Sequence, residues 1–168
     1  MVAADVPRER FAAPSKLEDG RWVKYPDYAL ATFPDGGLRT SVNDLAKFLA
    51  AVIGKGQLGE TQWLERPVIE RMLLPIDLNQ TENLPENHIQ RGLFWSGGKA
   101  LSIMQRRLLM GHNGGDPGVV TMMYFDPVTE RGAIALTNAD LEEREARIAF
   151  LRLYYALFEL ELPAAEGP

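Results

Sequence analysis

Two apolar runs lying close together constrain this chain most: Val119-Val120-Thr121-Met122-Met123-Tyr124-Phe125 and Ala133-Ile134-Ala135-Leu136-Thr137. Successive side chains of a strand point to opposite faces, and both runs are apolar at odd and even positions alike. Each therefore belongs in a sheet covered on both sides. The link from Asp126 to Gly132 is short enough for a hairpin, so the two pair antiparallel. Helical patterns on either side supply the cover. Ser41 followed by Asp44 resembles a capping box with Asp in place of Glu, Leu45, Phe48, Leu49, Val52 and Ile53 recur at helical spacing, and Gly54-Lys55-Gly56 ends the helix. A shorter helix starts at Pro67 and runs through Val68, Ile69, Met72 and Leu73 to Pro75. From Leu141 to Leu160, with Leu162 just beyond, a stripe of Ile148, Leu151, Tyr155 and Phe158 marks a long last helix. Glu142, Glu143 and Arg147 form its wet face, and Asn138 or Asp140 caps its start.

The expected class is α+β: short helices, an antiparallel sheet, and a long C-terminal helix packed on it. Residues 1–40 read as an irregular N-terminal segment, because Pro7, Pro14, Pro26 and Pro34 interrupt any helix and Asp35-Gly36-Gly37 signals a turn. Within it Arg21 to Tyr25 and Tyr28 to Ala31 are short extended pieces. Residues 41–162 form one domain and 163–168 a disordered tail. Residues 75–90 read as loop, Gly92 to Ser96 as a strand, Gly97-Gly98 as a turn, Ala100 to Met110 as one or two strands, and Gly114 to Gly118 as a tight loop. Trp22, Trp63 and Trp95 read as packing anchors.

Charge and composition exclude several function classes. Eighteen basic against 23 acidic residues give a net charge of -5, which argues against a nucleic-acid partner. There are no cysteines, so thiolate metal sites are ruled out, and His88 and His112 stand too far apart in sequence to suggest a metal site. No apolar run reaches the length of a membrane span. Met1 to Arg10 has no apolar signal region, and the chain gives no localisation of its own.

The segment with chemical content is Gly111-His112-Asn113-Gly114-Gly115-Asp116-Pro117-Gly118. Glycines let a ligand approach strand backbone, whose free N–H groups bind an anion or oxyanion, and His112 would project beside them as a donor or a tunable charge. The alternative is a Gly-rich bend carrying a satisfied strand histidine. Asp116 reads as a turn former and Glu142, Glu143 and Glu145 as a solvated face.

Several motifs occur in a specific order: Phe33-Pro-Asp-Gly-Gly37, Leu38-Arg-Thr-Ser-Val-Asn-Asp-Leu-Ala-Lys-Phe48, Arg91-Gly-Leu-Phe-Trp95, Gly111-His-Asn-Gly-Gly-Asp-Pro-Gly118, Phe125-Asp-Pro127 and Ala135-Leu-Thr-Asn138. From about Tyr25 to about Leu160 this resembles the C-terminal part of the serine β-lactamase-like hydrolases, the superfamily of class C β-lactamases, D-alanyl-D-alanine carboxypeptidases and related esterases. The resemblance implies part of a β-lactamase/transpeptidase-like fold. It makes His112-Asn113-Gly114 the third active-site motif, in its His form. It also implies that the Gly115 N–H is half of an oxyanion hole and that His112 directs hydrogen bonding and positive potential at a substrate carboxylate. Such enzymes usually work in the periplasm, outside the cell or at the envelope.

The other two family motifs do not match. Ser96-Gly97-Gly98-Lys99 is the one formal Ser-x-x-Lys, and two glycines between nucleophile and base disfavour the helix that would align them by roughly 2 kcal/mol. None of Tyr25, Tyr28, Tyr124, Tyr154 and Tyr155 has Asn two positions on, so Tyr-x-Asn is missing. The chain is expected to be the C-terminal portion of a serine hydrolase, acting on a β-lactam, D-Ala peptide or ester, and inactive alone. The alternative is a non-catalytic binding or interaction module on the same half-fold. Neither reading calls for a metal or organic cofactor. In the family, N-terminal strands pair beside the strand matching Gly132 to Thr137, so the resemblance implies an open edge there and a homodimer, or other strand pairing, at 132–137.

Overall fold

The structure is a computed structural model that describes residues 7–31, 36–74, 90–98 and 108–160. Its elements are, in order, β1 (Ser15–Glu18), β2 (Arg21–Lys24), α1 (Val42–Ile53), β3 (Gln57–Leu58), β4 (Thr61–Gln62), α2 (Arg66–Leu73), β5 (Gln90–Arg91), β6 (Ser96–Gly98), β7 (Leu109–Asp116), β8 (Val119–Asp126), β9 (Arg131–Thr137) and α3 (Arg144–Ala156), which a 3-10 turn over Leu157–Glu159 continues. Strands β5 to β9 form one antiparallel sheet in sequence order. This is an α+β fold, as the sequence predicts.

The two-sided apolarity of β8 and β9 finds a layer on each face. Toward α1 and α2 lie Phe125, Met123, Met110 and Ile134, packed with Leu49, Val52, Ile69 and Trp95. Trp95 stacks on Phe48 at 6.3 Å between ring centroids and meets Phe125 edge-on at 5.9 Å, contacts that contribute about 0.5–1.5 kcal/mol each beyond area burial. Toward α3 lie Leu109, Tyr124, Ala133, Met122 and Ala135, packed with Leu151, Tyr154, Tyr155 and Phe158. Helix α1 starts where expected: the Asp44 N–H donates to Ser41 Oγ at 3.1 Å, satisfying one of the open donors of the first turn. It ends at Gly54 to Gly56, where Lys55 and Gly56 have φ of 57° and 96°.

One contact shows which way the backbone of the sheet faces. Tyr154 on α3 is fully buried, and its hydroxyl donates to the Ala133 carbonyl (2.9 Å) and accepts the Tyr124 N–H (2.9 Å). Tyr124 and Ala133 are cross-strand partners, so a side-chain oxygen spans a rung of the β8–β9 ladder. The Tyr124 N–H therefore points toward β9, and alternation along each strand sets every other group.

Other local expectations give way to tertiary demands. Residues 15–24, expected to be irregular apart from short extended pieces, form the β1–β2 hairpin around Asp19 and Gly20, whose φ of 48° and 74° suit a two-residue turn matching strand twist. Gly92 to Trp95, expected as strand, is a turn: the Gly92 N–H donates to the Trp95 carbonyl (2.7 Å), the Leu93 N–H donates to Met72 at the end of α2 (2.9 Å), and Phe94 has φ 63°. Burial of Trp95 at the α1 layer outweighs the strand propensity of Leu-Phe-Trp. Gly97-Gly98, expected as the turn, is instead strand, closing β6 against β7. The tight loop expected over Gly114–Gly118 shrinks to Pro117 and Gly118, because β8 offers a partner to each residue of β7 from Met110 to Asp116. Helix α3 begins after Glu143, with no side-chain cap, and not at Asn138 or Asp140. Of the three expected anchors, only Trp95 is buried; Trp22 and Trp63 are exposed. The expected loop over 75–89, the expected strands over 100–107, the tail and His88 lie outside the described residues.

Candidate functional site

The expected site residues are gathered by a single element. His112, Asn113, Gly114 and Gly115 follow one another on β7, and all are exposed. β6 covers β7 only from Leu109 to Gly111; from His112 onward the side away from β8 has no partner strand among the described residues. Because Tyr124 directs its N–H toward β9, Met123 and Thr121 direct theirs toward β7. Their partners His112 and Gly114 face β8 in return, and Gly111, Asn113 and Gly115 turn N–H and C=O the other way. Asn113 and Gly115 thus present backbone donors to an open edge, two residues apart.

The side chains divide by the same alternation. His112 lies on the α1 face in the row of Met123 and Ile134, and Gly111, Asn113 and Gly115 lie on the α3 face. His112 Nδ1 donates to the Asn113 carbonyl at 2.6 Å, since a carbonyl can only accept, and this leaves Nε2 as the outward group. Gly111 is required where it stands: a Cβ there would run into the Met123 carbonyl and lie 2.5 Å from the Tyr124 Cα. Ser96 is the cross-strand partner of Gly111 and so projects to the face opposite His112. It is a strand residue, with no helical turn to bring a base beside it, and Lys99 lies outside the described residues.

A clamp that sequence reasoning missed holds the end of this strand. Asp140 accepts two hydrogen bonds of 2.6 Å, from the Gly118 N–H and the Tyr25 hydroxyl. Its own N–H donates to the Ser15 carbonyl, and Ser15 bridges Ala139. Asn138 Nδ2 donates to the Ala13 carbonyl (3.1 Å), and the Tyr28 hydroxyl donates to the Pro117 carbonyl (2.8 Å). Gly118, at φ 73°, packs so closely that a Cβ would lie 2.6 Å from the Ser15 nitrogen. The N-terminal hairpin is thereby tied to the β7–β8 turn, three residues past Gly115. The hydrogen bond to Asp140, with burial and nearby carboxylates, pushes Tyr25 up to about 12. The signal available in sequence was Asp19-Gly20, which marks a hairpin; nothing local points Asp140 at Gly118.

At the opposite end of β8, Asp126 Oδ1 accepts the N–H groups of Val128 (2.8 Å) and Thr129 (3.1 Å), so the Phe125-Asp126-Pro127 motif builds a turn. Among the described residues no group of three His, Asp or Glu side chains is arranged to hold a metal ion. No described helix is long and apolar enough to cross a membrane.

The family model described as Beta-lactamase matches residues 3–156, which spans both helices of the α1 layer, the sheet and α3. No curated protein matches the chain.

Proposed function

Because this chain belongs to the Beta-lactamase family, we propose that it is the C-terminal portion of a serine hydrolase that cleaves β-lactams, D-Ala peptides or small esters through an acyl-enzyme. The observation that carries this reading is the open edge of β7, where the outward N–H groups of Asn113 and Gly115 stand beside His112. In acyl transfer the carbonyl oxygen gains charge as the tetrahedral intermediate forms, and fixed N–H donors aimed at it lower that barrier most. Gly115 supplies one donor and the nucleophile's own backbone would supply the other. His112, with Nδ1 tied to Asn113, holds Nε2 toward the edge, where it hydrogen-bonds a substrate carboxylate or hydroxyl. The β7–β8 turn, held by Asp140, keeps these groups in register.

The nucleophile and its base are not supplied by this chain in this reading. Ser96 lies on a strand and faces away from His112, so the covalent route is closed and only binding remains. The purified chain should show no turnover of nitrocefin or p-nitrophenyl acetate above buffer, with Ser96→Ala making no difference; turnover abolished by Ser96→Ala would overturn the assignment of that serine. Benzylpenicillin, titrated against the labelled chain, should shift the amide resonances of His112 to Gly115, and His112→Ala should remove the effect. Shifts elsewhere with none on this edge would favour a non-catalytic interaction module.

A further inference from the structure

One peptide group of β7 carries a reaction of its own. Of the six asparagines in the sequence, only Asn113 precedes a glycine. In an Asn-Gly pair the glycine nitrogen, unhindered by a Cβ on its own residue, can attack the asparagine Cγ and close a five-membered succinimide ring. In the fold this peptide group is held at both ends. Its carbonyl, on Asn113, accepts the His112 Nδ1–H at 2.6 Å. Its N–H, on Gly114, points at β8, where the cross-strand partner Thr121 offers a carbonyl. The pair Asp116–Val119, which flanks the two-residue turn, sets the same phase. Attack requires the Gly114 nitrogen to swing round until it eclipses Cβ of Asn113. Extended backbone keeps the two apart, and the swing breaks both hydrogen bonds.

We propose that Asn113 is a deamidation site, which the pairing of β7 with β8 keeps closed and separation of the two strands opens. In the open state the Gly114 nitrogen gives up its proton and bonds to Asn113 Cγ, and the side-chain nitrogen leaves as ammonia. Water then opens the ring. Addition at Cγ gives aspartate at this position, and addition at the former backbone carbonyl gives isoaspartate. The sum is amide plus water to acid plus ammonia, with no other reactant. Asn43 and Asn138 precede Asp44 and Ala139, whose side chains hinder the same attack. The two products act differently on the sheet. Isoaspartate routes the chain through Cγ and adds one carbon to the backbone, so Gly114 to Asp116 lose register with Thr121 to Val119. Aspartate can pair again, and it puts a carboxylate on the α3 face beside Gly115, where it opposes an anion at the Gly115 N–H. That last consequence rests on the hydrolase reading; the reaction itself does not.

The test follows the conversion by mass spectrometry of the tryptic peptide 108–131, from the full chain incubated at mildly alkaline pH with and without guanidinium chloride. In denaturant Asn113 should convert ahead of every other asparagine, and Gly114→Ala should slow it there, where folding plays no part. In the folded chain conversion should be at least ~10-fold slower. Exchange of the Gly114 amide, measured by NMR in the same buffer, should be slowed by a similar factor, because both processes wait for the same opening. Conversion as fast in the folded chain as in the unfolded one would overturn the proposal, as would an Asn113 that survives denaturant while another asparagine converts. So would protection at Asn113 that departs by more than ~10-fold from that of the Gly114 amide. None of these outcomes depends on whether the chain binds an acyl substrate.

Discussion

Replacing Tyr154 by Phe removes one oxygen and isolates the most unusual bond in the sheet. The hydroxyl bridges the Tyr124 N–H and the Ala133 carbonyl, and the three residues are 0%, 3% and 6% exposed. The ring itself keeps its edge contacts with Tyr124, Tyr155 and Phe158, at 6.4, 5.7 and 5.8 Å between centroids, so packing is nearly unchanged. What remains is a buried donor and a buried acceptor held apart by the spacing the oxygen required. Two hydrogen bonds at about 1 kcal/mol each are lost, and leaving partners unsatisfied in the core adds to this, for a total of about 2–4 kcal/mol. For a chain of this length that lowers the melting temperature by roughly 5–15 °C. Urea unfolding of both proteins measures the difference, and faster exchange of the Tyr124 amide in Tyr154→Phe would locate it. A loss below about 1 kcal/mol would mean that β8 and β9 close to bond directly, and the hydroxyl would then not be a spacer.

Three other outcomes follow from particular contacts. A Cβ at Gly132 would lie 2.6 Å from Leu49 Cδ2 and 3.1 Å from Ile53 Cδ1, so Gly132→Ala should cost about 1–3 kcal/mol in urea unfolding as α1 is pushed from β9. Phe94 holds φ 63° with its ring 87% exposed, so Phe94→Gly should stabilise the chain by about 1 kcal/mol, read as a higher urea midpoint. Tyr25 and Tyr124 are pushed up from 10.0 to about 12, Tyr25 mainly by its bond to Asp140 and Tyr124 mainly by burial. A raised phenol stabilises the fold in full below the unfolded value and loses that contribution as pH climbs through the folded one. Stability should therefore fall between about pH 10 and about pH 12, less steeply in Tyr25→Phe than in the parent; equal slopes in a pH series of urea titrations would contradict the role given to the Tyr25–Asp140 bond.

Much of the candidate site was legible because it is contiguous. Gly111 to Gly115 sit on one strand, and the glycines and the histidine declare themselves by type. The clamp was not legible, because Asp140 reads locally as a helix cap and meets Gly118 and Tyr25 only after the N-terminal hairpin has folded back. The turn at Gly92 to Trp95 was misread for a similar reason. Leu-Phe-Trp carries strand propensity, but the slot between Phe48 and Phe125 that takes Trp95 lies on distant elements.

By itself the sequence determined that β8 and β9 are strands covered on both faces, that Ser41 opens α1, and that a striped helix follows the sheet, because residue type and period act over a few neighbouring positions. Only the tertiary structure decided which way the backbone of each strand faces. The turn at Pro117 and Gly118 pairs Asp116 with Val119, and Tyr154 marks the same parity on β9, its hydroxyl coming from 21 and 30 residues away to claim Ala133 and Tyr124. A slip of one position would turn the donors of Asn113 and Gly115 inward.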